Sequence, residues 1–266
     1  MGHTDPFSGP APQSIPLSAA PLSGVLAQIR FEEIFSIVKK GYVSDFQDRI
    51  RRQYPNHRRE ENVVVSLSAK EPEPKTETHW RFTDSDQNWR ISLTTTFLAL
   101  QCKRYSSRNE FMERLTDLLE ALKETIGPSY CRRVGVRYVD RVQNEPFDRL
   151  GELVRPELLS FDTKPEYRPR ILQSIHESIC EIDEGKMIIR WGLIPENSTH
   201  APDLMPPVNK KSWMLDVDAF HEFGNASVPF EVPMIISVIR GCADRTYSFF
   251  RWAVKDEFLR VHGGEL

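Results

Sequence analysis

Residues 131–142 read CRRVGVRYVDRV, a run in which apolar and charged side chains alternate. Side chains of a β-strand point alternately to its two faces. Two groups therefore separate by face: Val134, Val136 and Tyr138 on one, and Arg133, Arg137 and Arg141 on the other. The pattern predicts a long strand with one apolar face and one cationic face.

The sequence before this strand predicts a first half built from a strand, a helix, a meander and a second helix. The predicted strands are 24–31, 63–67, 79–82, 89–94 and 97–103, the first helix is 43–54, and residues 70–78 form a charged loop. The second helix follows Ser107 and ends at Gly127-Pro128. Ser107 and Glu110 form a capping box, in which each side chain bonds a free amide of the first turn.

The sequence after it repeats that order. It predicts a helical segment at 147–159, a hairpin of 171–182 and 187–194 around Asp183-Glu184-Gly185, a loop at 195–211, a strand at 213–220 and a helix at 233–258. We therefore predict an α+β fold of two pseudo-duplicated β-α-β(3–4)-α halves, whose antiparallel sheets are each packed by a long helix. The predicted bounds are a flexible arm at 1–20, a first half at 21–128 and a second at 129–266.

Composition is that of an ordinary globular protein. Hydrophobic residues make up 39% and charged residues 27% of the chain, and the net charge is -3. Because that charge is small, no overall field draws the chain to nucleic acid or to an anionic membrane. Contact with either would need a local patch.

Cysteine spacing and the first residues indicate the compartment. The four cysteines are widely separated, which does not fit a zinc site and favours core thiols in a reducing environment. Residues 1–21 are rich in proline but lack the basic start and apolar run of a secretory signal. No apolar run approaches the 20 or so residues of a membrane helix. We predict a cytoplasmic protein without membrane contact.

Catalytic signatures are missing from the sequence. It contains no G-x-x-x-x-G-K-[ST], no G-x-G-x-x-G and no G-x-S-x-G segment. Asp216 and Asp218 alternate as Mg²⁺ ligands do, but no third oxygen ligand is evident beside them. We therefore predict no catalytic residue, no metal and no cofactor, and whether the protein is an enzyme stays open.

The arginine face supplies the first candidate site. Arginines that share a strand face repel unless they meet carboxylates or an anionic ligand. The candidates for a ligand site or an interface are Arg30, Arg133, Arg137, Tyr138, Asp140, Arg141, Asp216 and Asp218. Two interpretations remain open: an ion-paired polar face or interface, and a site for an anion.

A basic run supplies the second candidate site. Arg49, Arg51, Arg52, Arg58 and Arg59 lie close together around the end of the first predicted helix. Such a run neutralises nucleic-acid phosphates in many proteins. Two acidic residues follow at once, which weakens that hypothesis and favours a solvated surface.

Several motifs resemble those of known groups of proteins. The element order resembles the TATA-binding-protein-like superfold, shared by helix-grip ligand-binding proteins. Residues 133–141, RVGVRYVDR, resemble the strand motif R-[VI]-G-[VL]-R-Y-[VI]-[ND]-R of a sporadically distributed prokaryotic family of unassigned function. Residues 21–31, Tyr105 with Phe111, and the strand 215–218 are also similar to that family. The resemblance implies mobile or defence-associated genes and brings no site residues.

Three functions follow as hypotheses. The first is a non-enzymatic binding or regulatory module with a protein partner or a second copy of the chain, in a toxin–antitoxin or phage-defence setting. The long loops 161–170 and 195–211 suit such recognition. The second is a helix-grip-like pocket that binds an anionic small molecule through Arg137 and Arg141. The third is nucleic-acid binding through the basic run.

Overall fold

The computed structural model describes residues 5–65, 74–164, 166–224 and 228–266. Over these residues the chain is mixed α+β, with antiparallel strand pairs and six α-helices. The strands are β1 Leu22–Phe31, β2 Asn56–Val65, β3 Pro74–Thr83, β4 Trp89–Leu93, β5 Phe97–Cys102, β6 Tyr130–Val142, β7 Ser174–Ile182, β8 Gly185–Ile194, β9 Ser212–Glu222 and β10 Val228–Pro229. No helix among the described residues has both the length and the apolar character needed to cross a membrane.

The helices differ greatly in length. They are α1 Lys40–Ile50, α2 Arg108–Thr125, α3 Glu145–Asp148, α4 Leu150–Leu153, α5 Val232–Ala253 and α6 Asp256–Val261. Short 3-10 helices occur at Phe35–Val38, Pro156–Leu158, Phe161–Thr163 and Arg168–Arg170.

Contacts divide the described residues into two compact units. Unit 1 takes the chain up to Val25, then Gly135–His221 and Val238–Leu266. Unit 2 takes Leu26–Val134 and Glu222–Ser237. The boundaries fall inside β1, β6 and α5, whereas the sequence predicts a division near residue 128. The internal duplication stays a prediction.

Unit 2 is built on a meander with the strand order β2-β3-β4-β5-β1. Helix α2 packs against α1 and buries one apolar stripe, which includes Phe111, Leu115 and Leu122. The predicted capping box is confirmed on its serine side, because Ser107 Oγ accepts from the Glu110 amide at 3.2 Å. Gly127 ends the helix with a φ of +67°, a conformation that glycine adopts without strain.

Unit 1 has the strand order β6-β9-β8-β7. The predicted hairpin is confirmed: β7 and β8 pair from Ser174↔Leu193 to Ile182↔Gly185. Its buried apolar side chains include Met187, Ile189, Leu193, Leu215 and Val217. These positions alternate along β8 and β9, so the opposite face of the two strands carries their charged residues.

Several predicted element bounds differ from the structure. The helical segment at 147–159 is broken into α3, α4 and a 3-10 turn, in a stretch that contains Pro146 and Pro156. The last helix is interrupted after Ala253, where the Lys255 amide donates to Leu153 O at 2.8 Å. Strand β2 starts at Asn56 rather than 63, and residues 66–67 of the predicted strand lie outside the described residues.

Part of the predicted charged loop is also strand. β3 starts at Pro74 and so takes up residues 74–78, while 70–73 lie outside the described part of the chain.

The segment 5–21, which the sequence predicts to be an arm, lies along unit 1. Arg245 donates to Gly9 O at 2.7 Å, and the Ile15 amide donates to Tyr247 Oη at 2.8 Å. The Phe7 ring lies 6.1 Å from that of Phe249, between centroids. These contacts tie the segment to α5 and to the β7–β8 turn.

Candidate functional site

Charged side chains of alternating sign cross the four strands of unit 1. Glu177 on β7 faces Arg190 on β8, and Arg190 faces Asp216 on β9. Arg190 Nε donates to Glu177 at 2.6 Å, and its Nη1 lies 3.7 Å from Asp216 Oδ2. Arg137 on β6 completes the row. We call these four residues the charge ladder.

The strongest link of the charge ladder joins Arg137 to Asp216. Nε and Nη2 of Arg137 donate to the two carboxylate oxygens at 2.7 and 2.5 Å. Asp216 is completely buried, so its charge depends on the arginines beside it. Hydrogen bonding and the charge of Asp216 raise the pKa of Arg137 against the opposing effect of burial. Arg137 is therefore already neutralised within the protein.

A second carboxylate lies close to the ladder without an arginine of its own. Asp140, three residues after Arg137 on β6, is 9% exposed, and among the described residues it has no ion pair. Burial first, and then the charge of Asp216, raise its pKa to about 7. A carboxyl group in this setting changes its charge near neutral pH.

Arg141 is a buried arginine of β6 that does not belong to the charge ladder. It is 7% exposed, and its Nη1 donates to Pro206 O at 2.5 Å. No described residue accepts a hydrogen bond from its Nε or Nη2. Burial lowers the pKa of Arg141, as expected for a cation away from water and without a carboxylate partner.

The loop 195–211 covers this end of β6. Within it, the amides of Leu204 and Met205 donate to Ala201 O at 3.0 and 2.7 Å. All three of these residues are buried, and the carbonyl that Arg141 contacts belongs to the next residue, Pro206. The loop is therefore a folded cover with its own small core rather than an open connection.

The remaining candidates of the arginine face have separate positions. In unit 2, Arg30 and Arg133 both donate to Gln28 Oε1, at 3.0 and 3.3 Å. In unit 1, Asp218 faces Ile188 in the β8–β9 register, and its charge adds to the raised pKa of Arg137. Tyr138 is half-buried on β6. The structure thus joins Arg137 with Asp216, and Arg30 with Arg133.

The basic run of unit 2 is extensively paired with acidic residues. The four paired arginines and their partners are Arg49 with Glu124 at 3.1 Å, Arg51 with Asp48 at 3.3 Å, Arg58 with Glu60 at 2.6 Å, and Arg59 with Glu61 at 3.0 Å. Arg52 is exposed in the turn after α1. Arg58 and Arg59 lie in β2, so the run does not belong to one helix end.

Metal ligation finds no support in the described part of the chain. No group of three His, Cys, Asp or Glu side chains there is placed to hold an ion. The described ligands around Asp216 are arginines, which compete with a cation for its oxygens.

Glu177 and Arg190 were not among the predicted site residues, although the sequence of the predicted hairpin indicates that they face each other. The turn at Asp183-Glu184 pairs Ile182 with Gly185, and counting back from that pair places Glu177 opposite Arg190. The next link, from Arg190 to Asp216, depends on β8 and β9 being neighbours. A loop of more than fifteen residues separates these strands, and their adjacency is not readable from local patterns.

Comparison with known proteins finds no relative. No protein-family model, no curated protein and no solved structure matches the chain. The resemblance to a prokaryotic family of unassigned function therefore stays a prediction.

Proposed function

We propose that the protein is a non-enzymatic binding module whose protein partner adds a strand to the free edge of β7. The observation that carries this proposal is the free edge of β7 together with two exposed apolar side chains, one in the strand and one just before it. β7 ends the strand order of unit 1, and no described strand pairs with its outer side. An edge of this kind offers unpaired backbone amides and carbonyls to an extended segment of another chain.

Large apolar side chains mark the same edge. Leu172, just before β7, is 79% exposed, and Ile179, in its middle, is 66% exposed. Phe161 and Tyr167 in the preceding segment are exposed as well. Four exposed large apolar side chains thus fall within one stretch of chain, residues 161–179, and exposed apolar patches are typical of interaction surfaces.

A surface cleft lies in that preceding segment. Its volume is about 550 Å³, and its lining includes Leu150, Pro156, Leu159, Phe161, Lys164 and Arg168. The lining also includes Asp148, Arg149 and Glu152, so its charges are of both signs and its apolar residues suit an apolar side chain of a partner. The cleft extends the proposed surface beyond the strand.

Charge on the strand narrows the partner further. Glu177 and Glu181 flank Ile179 on the same face of β7, and both are exposed at the edge. Glu177 already has Arg190 as its partner, whereas the described residues include no ion pair for Glu181. A partner strand with an apolar residue beside Ile179 and a basic residue beside Glu181 is complementary to this edge.

The test is native mass spectrometry of the full chain recovered from its own host. We expect the wild-type protein to carry a partner of defined mass, and the double substitution Leu172→Ser with Ile179→Lys to reduce its occupancy at least tenfold. Phe35→Ser is the matched control, because Phe35 is an equally exposed apolar residue in unit 2. It leaves the partner bound.

The contrary outcomes are equally clear. A partner retained by the double variant, or lost with Phe35→Ser, contradicts the β7 edge as the contact. A bare monomer in every sample contradicts a stable partner altogether. A mass twice that of the chain that disappears with the double variant identifies the partner as a second copy, joined through its own β7.

The proposal also includes the predictions on internal duplication, compartment and biological setting. Internal duplication with a TATA-binding-protein-like or helix-grip topology is supported by element order, and a cytoplasmic setting by the scattered cysteines. A toxin–antitoxin or phage-defence role is supported by the motif resemblance. Nucleic-acid binding is the weaker alternative, because Arg49, Arg51, Arg58 and Arg59 each have a carboxylate within 3.3 Å.

A further inference from the structure

Two arginines of unit 1, the half-buried Arg137 and the buried Arg245, hold carboxylates in the same way. Arg137 uses Nε and Nη2 for both oxygens of Asp216, and Arg245 uses Nε and Nη2 for both oxygens of Glu184. This edge of the guanidinium presents two parallel N–H groups that match an oxyanion with two acceptor oxygens. In both arginines, therefore, the Nε–Nη2 edge binds the two oxygens of a carboxylate.

Arg141 has the same edge available. Nη1 is used by the Pro206 carbonyl, which leaves Nε and Nη2, and no described residue accepts from either atom. Arg141 is buried, at 7% exposure, as Arg245 is at 3%. A buried cation with two unused donors is costly unless an acceptor is supplied from outside the protein.

Ser212 adds a second buried donor at the same end of the sheet. Its side chain is fully buried, and no described residue bonds its Oγ. Ser212 lies four residues before Asp216 on β9, and Arg141 lies four residues after Arg137 on β6. Because strand faces repeat every two residues, both lie on the face of the Arg137–Asp216 pair.

The two strands run in opposite directions, which brings these positions together. A Cβ at Gly135 would lie 2.8 Å from Phe220 Cβ, while Arg137 bonds Asp216, so rising numbers on β6 meet falling numbers on β9. Arg141 and Ser212 lie four residues further along in those two directions, beyond Val139 and Met214. The loop 195–211 closes over this end through Pro206.

We propose that this end of the charged face is a binding site for a small oxyanion, a carboxylate or a phosphate group, held by Nε and Nη2 of Arg141 with Ser212 Oγ as a further donor. The ladder sets the position of this site, because Asp216 neutralises Arg137 and leaves Arg141 as the cation that needs a counter-charge. A hydroxyl group can donate to the same oxyanion without adding charge. The site does not depend on the β7 edge, so each proposal stands or fails alone.

The experiment is thermal unfolding of the full chain at constant ionic strength, as chloride is replaced by formate, acetate or inorganic phosphate. A ligand that binds the folded state raises the melting temperature in a saturable way. We expect saturation with at least one of the three oxyanions at concentrations where chloride has no effect, because chloride is a single atom and cannot offer a separate acceptor to each of two parallel N–H groups. The order among formate, acetate and phosphate distinguishes a carboxylate ligand from a phosphate ligand.

Three substitutions make the test specific. Arg141→Lys keeps the charge but removes the two parallel donors, and we expect the half-saturating concentration to rise at least tenfold. Ser212→Ala, which removes only a hydroxyl, raises it severalfold. Arg245→Lys is the matched control: it disturbs a buried arginine whose edge is already used by Glu184, and it lowers the melting temperature without changing the half-saturating concentration.

Other results overturn the proposal. If Arg141→Lys responds to each oxyanion as the wild type does, or if chloride is as effective as formate, the stabilisation is a general salt effect. If Ser212→Ala leaves the response unchanged, Ser212 Oγ does not donate to the oxyanion and the proposed site is wrong. A wild-type melting temperature that no oxyanion raises means that Arg141 is satisfied by water.

Discussion

Charged side chains are paired in the middle of β6 and unpaired by described residues at its end. In the middle, Arg137 and the completely buried Asp216 satisfy each other through two short hydrogen bonds. At the end, Asp140 and Arg141 are almost as deeply buried, yet neither has an ion-pair partner among the described residues. The same strand therefore contains a closed electrostatic arrangement and an open one, three or four residues apart.

This difference shows where a ligand is to be looked for. In the sequence pattern Arg137 and Arg141 are equivalent, since both lie on the charged face of the strand. In the structure Arg137 has a carboxylate partner and Arg141 has none among the described residues. A satisfied pair has no donors left for a ligand, while an unsatisfied buried group is either a cost to stability or part of a site. Substitutions that separate these two possibilities test the comparison directly.

The largest effect is expected in the middle of β6. Asp216→Ala removes a completely buried carboxylate and leaves the half-buried Arg137 and Arg190 without their shared partner. We expect the free energy of unfolding to fall by about 3–5 kcal/mol, the usual loss when one partner of a buried pair is removed. Urea unfolding followed by tryptophan fluorescence measures it.

A double variant is the control for this prediction. Arg137→Met with Asp216→Leu removes both charges and keeps apolar volume, so it recovers most of the loss. A fall of less than about 1 kcal/mol for Asp216→Ala alone contradicts the ladder as a stabilising element.

The next effect is a pH dependence from Asp140. Burial, and then the charge of Asp216, raise its pKa from an ordinary value of 3.8 to about 7 in the folded protein. Between these two values the folded state holds a proton that the unfolded state releases, so stability falls as pH rises through this range and levels off above pH 7. From pH 5 to pH 7 we expect a loss of about 2–3 kcal/mol.

The measurement is a set of urea midpoints between pH 5 and pH 8 for the wild type and for Asp140→Asn. The amide cannot ionise, so the difference between the two proteins isolates Asp140 from all other titrating groups. Parallel curves over this pH range show that Asp140 is ionised at pH 5, which contradicts the raised pKa.

Substitution of the two arginines by methionine compares the middle and the end of β6 directly, and the smaller effect is expected at Arg141. Arg137→Met leaves the buried Asp216 without its main partner, and we expect the free energy of unfolding to fall by about 3 kcal/mol or more. Arg141→Met removes a cation that has no carboxylate partner among the described residues. In a buffer without oxyanions we expect Arg141→Met to lie within about 1 kcal/mol of the wild type, on the stabilising side. Unfolding both variants side by side gives the comparison. Equal losses would mean that Arg141 has an internal counter-charge.

Local patterns predicted much of the fold, and the reasons are physical. The alternation in residues 131–142, the capping box at Ser107 and the turn before Gly185 each act over a few residues, and the structure has β6, α2 and the β7–β8 hairpin there. The start of β2 was missed because Asn56–Asn62 is polar and charged and lacks an apolar alternation. Pairing with β3 over its whole length makes this segment a strand.

The site was predicted less well, since it depends on contacts between distant segments. Arg137, Arg141 and Asp216 were among the predicted candidates, but which arginine meets the carboxylate follows from the register of β6 and β9. Ser212 and the cover by Pro206 had no local signal, because a serine before a strand and a proline in a loop are common. Burial, which distinguishes Asp140 from an exposed aspartate, is a property of the folded chain.

The smallest effect on stability is expected for an exposed ion pair of unit 2, which shows what pairing contributes without burial. Arg49 and Glu124 are 3.1 Å apart, a distance similar to those in the ladder, but their side chains are 58% and 54% exposed. Water screens such a pair, so Arg49→Met changes the free energy of unfolding by less than about 0.5 kcal/mol. Urea unfolding in low and high salt measures it, and the salt dependence of the variant should match that of the wild type. A loss as large as that of Arg137→Met would show that pairing, rather than burial, determines what these charges contribute.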